Sequence, residues 1–418
     1  MRNWVWWLIA VVFGIGLVVA TRMLIVNEYY YFAAYVVLQY IVLATAWNIL
    51  GGYTGYTNFG TGAFFAVGAY STVVLHQLGS VPLPVMILAG GVVSGAIGFG
   101  TGYLTLRLRG VFFAIATLAL AIVVQTLIVN WDYVGGSRGI YVLRPANAPL
   151  GGGYIQYLYT LMVALSVISV GIARTIEGSR LGLGFAAIRD DEQAAEAGGV
   201  PTLRLKLIAT TLSGALMGMA GAPLPYYVTY LDPTSSFNLA YAVNAVAMPV
   251  IGGMTSWIGP VIGAILLGTI QQVATVTISS AINLLIVGLL LILFVIAAPK
   301  GVVDLLQGPT EGPFAPPLGR MQFFIRWLGL FIVTAIILYS VAWILLLFGF
   351  IGITIQLAIA SQRLRDMGWS GWLALLLFIP IVDIALLIVL FFAPGRRLGH
   401  EVMLASSSPA VREGQARG

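Results

Sequence analysis

Gly135-Gly136-Ser137-Arg138-Gly139 has the G-x-S-x-G spacing of a nucleophile elbow, which would put Ser137 forward for acyl transfer. That chemistry needs a strand-to-helix turn beneath the serine and a histidine to take its proton. The chain has two histidines, His76 in an apolar stretch and His400 in a polar tail. The motif lies between two hydrophobic segments, so it reads as a connecting loop and not as a catalytic centre. Cysteine is absent, which removes disulfides and thiolate metal sites. No H-E-x-x-H and no G-x-x-x-x-G-K-[ST] phosphate loop occurs, so neither zinc hydrolysis nor ATP binding by that route is expected. Proton pumping needs acids inside the membrane. None lies between Glu28 and Asp132, and from 207 to 298 the single acid is Asp232, near a helix end. Any energy for transport is expected to enter from a partner.

The entry point is the stretch 174–206. It holds Arg174, Glu177, Arg180, Arg189, Asp190, Asp191, Glu192, Glu196, Arg204 and Lys206, which is 10 of the chain's 34 charged residues (20 basic plus 14 acidic). Asp190 to Gly199 is predicted as one short amphipathic helix stopped by glycines. A helix of that kind held below a membrane suits another protein's groove. Read without a partner, the same charges form a solvated loop.

The elements that carry this loop must be membrane helices. The chain is 60% hydrophobic and 8% charged, whereas a soluble domain carries about 25% charged residues. Apolar segments fall near 4–21, 32–50, 58–75, 83–106, 111–130, 155–173, 207–230, 239–252, 257–278 and 281–298, most near the ~20 residues that cross a bilayer core as helix. The first is read as a membrane helix and not a signal peptide, with Trp4, Trp6 and Trp7 in the interfacial belt. The segment 207–230 is expected to bend at Pro223 and Pro225. Gly91/Gly95, Gly98/Gly102 and Gly214/Gly218 have the small-xxx-small spacing that lets membrane helices approach closely. If 58–75 crosses, Arg2, Arg107, Arg109, Arg174, Arg180, Arg189, Arg204, Lys206 and Lys300 share one face. Arg22, Arg138 and Arg144 then take the other, so the loop and the N-terminus are cytoplasmic. The net charge of +6 is thereby a matter of orientation, and no nucleic-acid partner is expected.

The fold class expected is all-α: a polytopic transmembrane helical bundle with broken or re-entrant helices, plus a small C-terminal helical membrane domain. The divisions read as 1–306, a Pro/Gly-rich linker at 307–322, a membrane domain at 323–398 and a polar tail at 399–418. Two interrupted stretches, Gly51 to Gly62 and Pro249 to Pro260, lie in different halves, and such pairs point to a substrate pathway. Thr54, Thr57, Asn58, Thr61, Asn244, Thr255 and Ser256 are the candidates to line it; read blandly, they are turn and packing residues.

Four stretches carry a resemblance. They are Gly52-Tyr53-Thr54-Gly55-Tyr56-Thr57-Asn58-Phe59-Gly60; Arg107-Leu108-Arg109-Gly110-Val111-Phe112-Phe113 with the later Gly135 to Gly139; Ser179-Arg180-Leu181-Gly182 leading to Ala187-Ile188-Arg189-Asp190-Asp191-Glu192; and Val250-Ile251-Gly252-Gly253-Met254 with Gly259-Pro260-Val261-Ile262-Gly263. From about 30 to 306 the chain resembles the LivM-type permeases of branched-chain amino acid ABC importers. The resemblance implies residence in the bacterial inner membrane, two cytoplasmic ATPase subunits that bind ATP and Mg, a second permease of the LivH type and a periplasmic substrate-binding protein. It makes the third stretch a coupling helix, with Arg189, Asp190, Asp191, Glu192, Ala195, Glu196 and Gly199 at the ATPase surface. Gly198 departs from the larger apolar residue usual there. Urea and short-chain amide permeases look alike at this level, and a stand-alone carrier remains a second reading. Near the C-terminus, Gln362-Arg363-Leu364-Arg365-Asp366-Met367-Gly368-Trp369 is similar to the small bacterial membrane family known as domain of unknown function 805, with Arg365 where that family usually has His.

Overall fold

The computed structural model describes residues 3–277 and 288, apart from 25–26, 80, 106–109, 146–147 and 150–151. The chain divides into two compact units, Met1–Leu291 with Lys300–Val303 and Ile292–Pro299 with Asp304–Gly418. All described residues belong to the first. The expected segment 281–298, save Gly288, the linker, the C-terminal domain, the tail, and the side chains of Arg2, Arg107, Arg109 and Lys300 lie outside the described residues.

Long apolar runs become helices because a bilayer interior leaves backbone groups no partner but each other. In chain order these are α1 (Asn3–Leu24), α2 (Glu28–Thr54), α3 (Thr61–Leu78), α4 (Leu83–Thr105), α5 (Val111–Val129), α6 (Tyr154–Glu177), α7 (Arg180–Asp190), α8 (Glu192–Ala197), α9 (Thr202–Gly221), α10 (Leu224–Val228), α11 (Pro233–Ser236), α12 (Leu239–Gly252) and α13 (Gly259–Thr277). A two-residue strand pair, β1 (Ile140–Tyr141) with β2 (Tyr230–Leu231), is antiparallel. Six stretches, in α1, α2, α4, α5, α6 and α9–α10, are long and apolar enough to cross a membrane. The all-α, multi-pass reading therefore holds.

The centre is built from α2, α3 and α9, and its tightness comes from missing side chains. A methyl on Gly68 of α3 would overlap the Gly218 carbonyl of α9, and one on Gly221 would overlap that of Phe65. Gly91 and Gly95 of α4 face Met219 and Ala215 of α9, while Gly98 and Gly102 face Thr210. The expected close-packing pairs thus sit at one seam. Ser94 closes it, its hydroxyl lying 3.0 Å from the Phe64 carbonyl and 2.8 Å from that of Gly214. Around this centre, α1 and α5 leave most of their apolar surface exposed, as lipid-facing helices do.

Two breaks interrupt the interior. The first is the predicted bend at Pro223 and Pro225, where α9 stops at Gly221 and α10 resumes at Leu224. Gln39 of α2 donates to the freed Ala220 carbonyl at 3.1 Å, so the break leaves that group satisfied. The second is the return of residues 232–238 into the bundle. A methyl on Gly62, in the first turn of α3, would lie 3.2 Å from the Asn238 carbonyl and 3.3 Å from that of Phe237. The Phe65 and Tyr241 rings meet at 4.3 Å. That first turn sits beside Thr117, six residues into α5, hence about 9 Å inside the helix end at 1.5 Å per residue. So α12 starts at depth, with Thr234, Ser235 and Asn238 exposed on the flank of the unit.

Candidate functional site: a charged loop tied to two interrupted segments

The loop 174–206 is two helices where one was expected from Asp190 to Gly199. Asp191 is extended (φ −158°, ψ 109°), and its carboxylate accepts from the backbone N–H groups of Gln193 and Ala194 at 2.9 and 3.0 Å. An aspartate in that role starts a helix. It therefore ends α7 at Asp190 and begins α8 at Glu192. Gly198 closes α8, and Gly199 follows with φ 84°, a backbone state that suits glycine.

The site residues divide by direction. Arg189, Asp190, Asp191, Glu196 and Gly199 are exposed, with Arg189 and Asp190 3.4 Å apart as an ion pair. Ala195 is buried under α8. Glu192, expected at the outer surface, turns inward. Its carboxylate accepts from Lys206 Nζ of α9 at 2.7 Å and from the Tyr56 hydroxyl. Lys206 Nζ also donates to Tyr56 Oη at 3.2 Å and lies 4.9 Å from the centre of its ring. Lys206 is 3% exposed. Tyr56 leans edge-on against Phe113, at 5.2 Å, where α5 begins.

Tyr56 belongs to the break between α2 and α3. There α2 ends on Gly55, in the left-handed region at φ 78°, where a Cβ would press on the Arg189 stem. Arg189 also reaches the Gly52 carbonyl at 3.5 Å. The second interrupted stretch, the turn between α12 and α13, is held from α6. Glu177 accepts from Trp257 N–H at 2.6 Å and from the Tyr53 hydroxyl at 3.3 Å. The Arg174 guanidinium lies 4.9 Å from the Trp6 ring and 5.0 Å from that of Trp257. Each such contact places a cation over an aromatic face. Trp6 and Trp7 turn toward α6, Trp7 packing on Gly171. The start of α1 and the end of α6 consequently share one end of the bundle. Arg144 lies at the other, donating to the carbonyls of Tyr226 and Tyr227.

The two interrupted stretches meet, since Gly52 is backed by the Met254 carbonyl and by Asn48. Their polar residues do not form one lining. Thr54 donates to the Leu50 carbonyl of its own helix at 2.6 Å. Thr57 is half-buried. Asn58 is spent on its turn, accepting from Gly60 N–H at 2.7 Å while its carbonyl accepts from the Trp47 indole at 2.8 Å. Thr61 is fully buried in the first turn of α3. Asn244 joins Tyr40 and Gln271 in an interior chain at 3.3 and 2.8 Å. Thr255 and Ser256 occupy the turn between α12 and α13, next to Trp257, whose N–H donates to Glu177 beside the charged loop. The linking roles of Tyr53, Tyr56, Glu177 and Lys206, and the place of Asn238 at the start of α12, are what the sequence did not assign. Lys206 left a signal, being one of two lysines in the chain and placed where an apolar helix begins.

Ser137 lies in a 3₁₀ turn, not in a strand-to-helix elbow, and Tyr230 Oη donates to the neighbouring Arg138 carbonyl at 2.7 Å. His76 Nδ1 is 2.9 Å from the Tyr226 hydroxyl. No group of three or more metal-ligating residues occurs among the described residues.

Fold and site together define a multi-pass helical membrane protein with interrupted inner segments and a charged end loop. Residues 29–295 match the family described as the branched-chain amino acid transport system / permease component, and the chain belongs to it. It is a transport permease. Residues 314–401 match a second family, described as a protein of unknown function (DUF805). The chain is 28% identical to the high-affinity branched-chain amino acid transport system permease protein LivM of Salmonella typhimurium, over 64% of this chain and 68% of that one. The LivM of Escherichia coli K12 is similar to the same extent. A probable branched-chain amino acid transport permease protein LivH of Methanocaldococcus jannaschii is 24% identical over 54% of this chain and 74% of its own length. No solved structure matches.

Proposed function

We propose that this chain is one of two permeases of an ATP-driven importer, carrying branched-chain or closely related amino acids inward across the bacterial inner membrane. Two cytoplasmic ATPases bind ATP and Mg and drive it, a LivH-type permease pairs with it, and a periplasmic protein delivers substrate. The observation that carries the reading is the attachment of the charged loop to both interrupted segments. A loop built to receive a partner's motion needs such ties. The exposed residues Asp190, Asp191, Gln193 and Glu196 form the surface offered to an ATPase.

The substrate path runs along the flank where 232–238 returns to depth. Irregular backbone at membrane depth is tolerated where protein buries it or where it borders a watery cavity. Exposed Thr234, Ser235 and Asn238 meet that condition on a face shared with the second permease. Asn238 Oδ1 accepts from Ala240 N–H at 2.8 Å and starts α12 there.

The test is reconstitution of the chain with the permease, ATPase and binding-protein subunits of its own organism. ATP-dependent uptake of labelled leucine or valine is expected, with Glu196→Lys costing the bound ATPase. Uptake by the chain alone, driven by an ion gradient and indifferent to ATP, would transfer the reading to a stand-alone carrier.

A further inference from the structure

Glu192 is mostly turned inward, with both carboxylate oxygens engaged inside the protein. It closes a three-membered ring with Lys206 of α9 and Tyr56 of the α2–α3 break, in which each side chain touches the other two. The three come from three different elements. Stability alone does not call for ions here, because apolar side chains of equal volume hold buried helices as well or better. What the ionic ring adds is direction. Charged hydrogen bonds fix the distance and angle between their partners, whereas apolar contacts let elements slide.

The surroundings need that direction. The six residues of α8 are bounded by extended Asp191 on one side and by Gly198 and Gly199 on the other. The chain changes direction at both joints, so through the backbone a push on α8 reaches its neighbours only by way of two turns. The ring bypasses them, leading from Glu192 straight to Tyr56, four residues after Gly52. Arg189 runs parallel to it, through the Gly52 carbonyl and Gly55.

We propose that Tyr56, Glu192 and Lys206 are positioning residues that bind α8 to the break between α2 and α3, delivering displacement of the docking helix to the interior of the permease. The inference rests on the importer reading above. It assigns Glu192 to transmission and leaves docking to Asp190, Asp191 and Glu196.

The experiment uses the reconstituted complex and reads three quantities separately: ATPase retained on purification, ATP hydrolysed, and leucine transported per ATP. Tyr56→Phe and Glu192→Gln are near-isosteric. They should keep the ATPases and at least half the hydrolysis while lowering transport per ATP by tenfold or more. Lys206→Arg, which keeps a charge and its donors, should recover part of the ratio lost in Lys206→Met. Glu196→Lys should do the reverse, shedding ATPase with no change in the ratio for complexes that remain. Transport per ATP within twofold of wild type in Tyr56→Phe and Glu192→Gln would overturn the inference while leaving the importer intact. Loss of the assembled complex in Tyr56→Phe and Lys206→Arg would make the ring a folding element and overturn it too. A wild-type chain that binds no ATPase would remove the importer reading itself, and the inference with it.

Discussion

Lys206 sits in a chain whose other basic residues are, with one exception, arginines. An ammonium is a compact charge on a flexible stem, and it fits a site where two oxygens and a ring converge from different sides. Removing it takes the cation away from a mostly buried carboxylate. Lys206→Met should therefore lower stability by about 3–5 kcal/mol, the usual loss when one member of a buried ion pair is deleted. The paired Glu192→Met, Lys206→Met variant should regain most of it. Thermal unfolding in mild detergent reads both, and a single variant as stable as wild type would mean the pair is not buried. The same residues show where sequence reading stops. Arg189, Asp190, Asp191, Glu192 and Glu196 were recognisable as one charged group, but not which of them turn inward. That depends on Asp191, whose carboxylate can continue a helix or start one. It starts one here because two free N–H groups lie within its reach.

Among elements, the seam of α4 on α9 gives the sharpest contrast. Gly218 has the Gly90 carbonyl and Ser94 where a side chain would go, whereas Gly100 has nothing within 4 Å. Gly218→Val should abolish the monodisperse folded protein, since the obstacle is backbone that cannot give way. Gly100→Ala, on the face of α4 opposite Gly98 and Gly102, should be neutral or stabilising by about 0.5–1 kcal/mol, because it removes only a glycine's freedom. Gel filtration in detergent separates the outcomes, and equal behaviour of the two would contradict the seam. Helices of this kind were legible to within about five residues at their ends, because apolar length and paired glycines are written in composition. The depth of a turn was not. Thr255-Ser256 and Thr234-Ser235 are equally small and polar, yet the first pair lies at the bundle end and the second in the segment that returns toward Gly62. Only the packing of Phe237 and Asn238 on Gly62 distinguishes them.

For the whole molecule, the shared end of Trp6, Arg174 and Trp257 fixes the start of α1 on the side of the charged loop. The arginine bias predicts that this side is cytoplasmic. Because the chain has no cysteine, single replacements report location without background. In intact cells a membrane-impermeant maleimide should label Ser137→Cys and spare Gln193→Cys, both positions being exposed. Labelling of Gln193→Cys with protection of Ser137→Cys would invert the protein.

The return of 232–238 to depth also bears on the life of the chain in the cell. A flank that shows Thr234, Ser235 and Asn238 would be a poor neighbour for lipid. On the two-permease proposal, a copy made without its companion subunit keeps that flank bare, which would let a membrane protease distinguish it from an assembled one. Expressed alone the chain should be short-lived, and co-expression of its partner permease should lengthen its half-life in a pulse-chase by severalfold. The feature proposed to open a path for substrate would be, for an unassembled subunit, a mark for disposal.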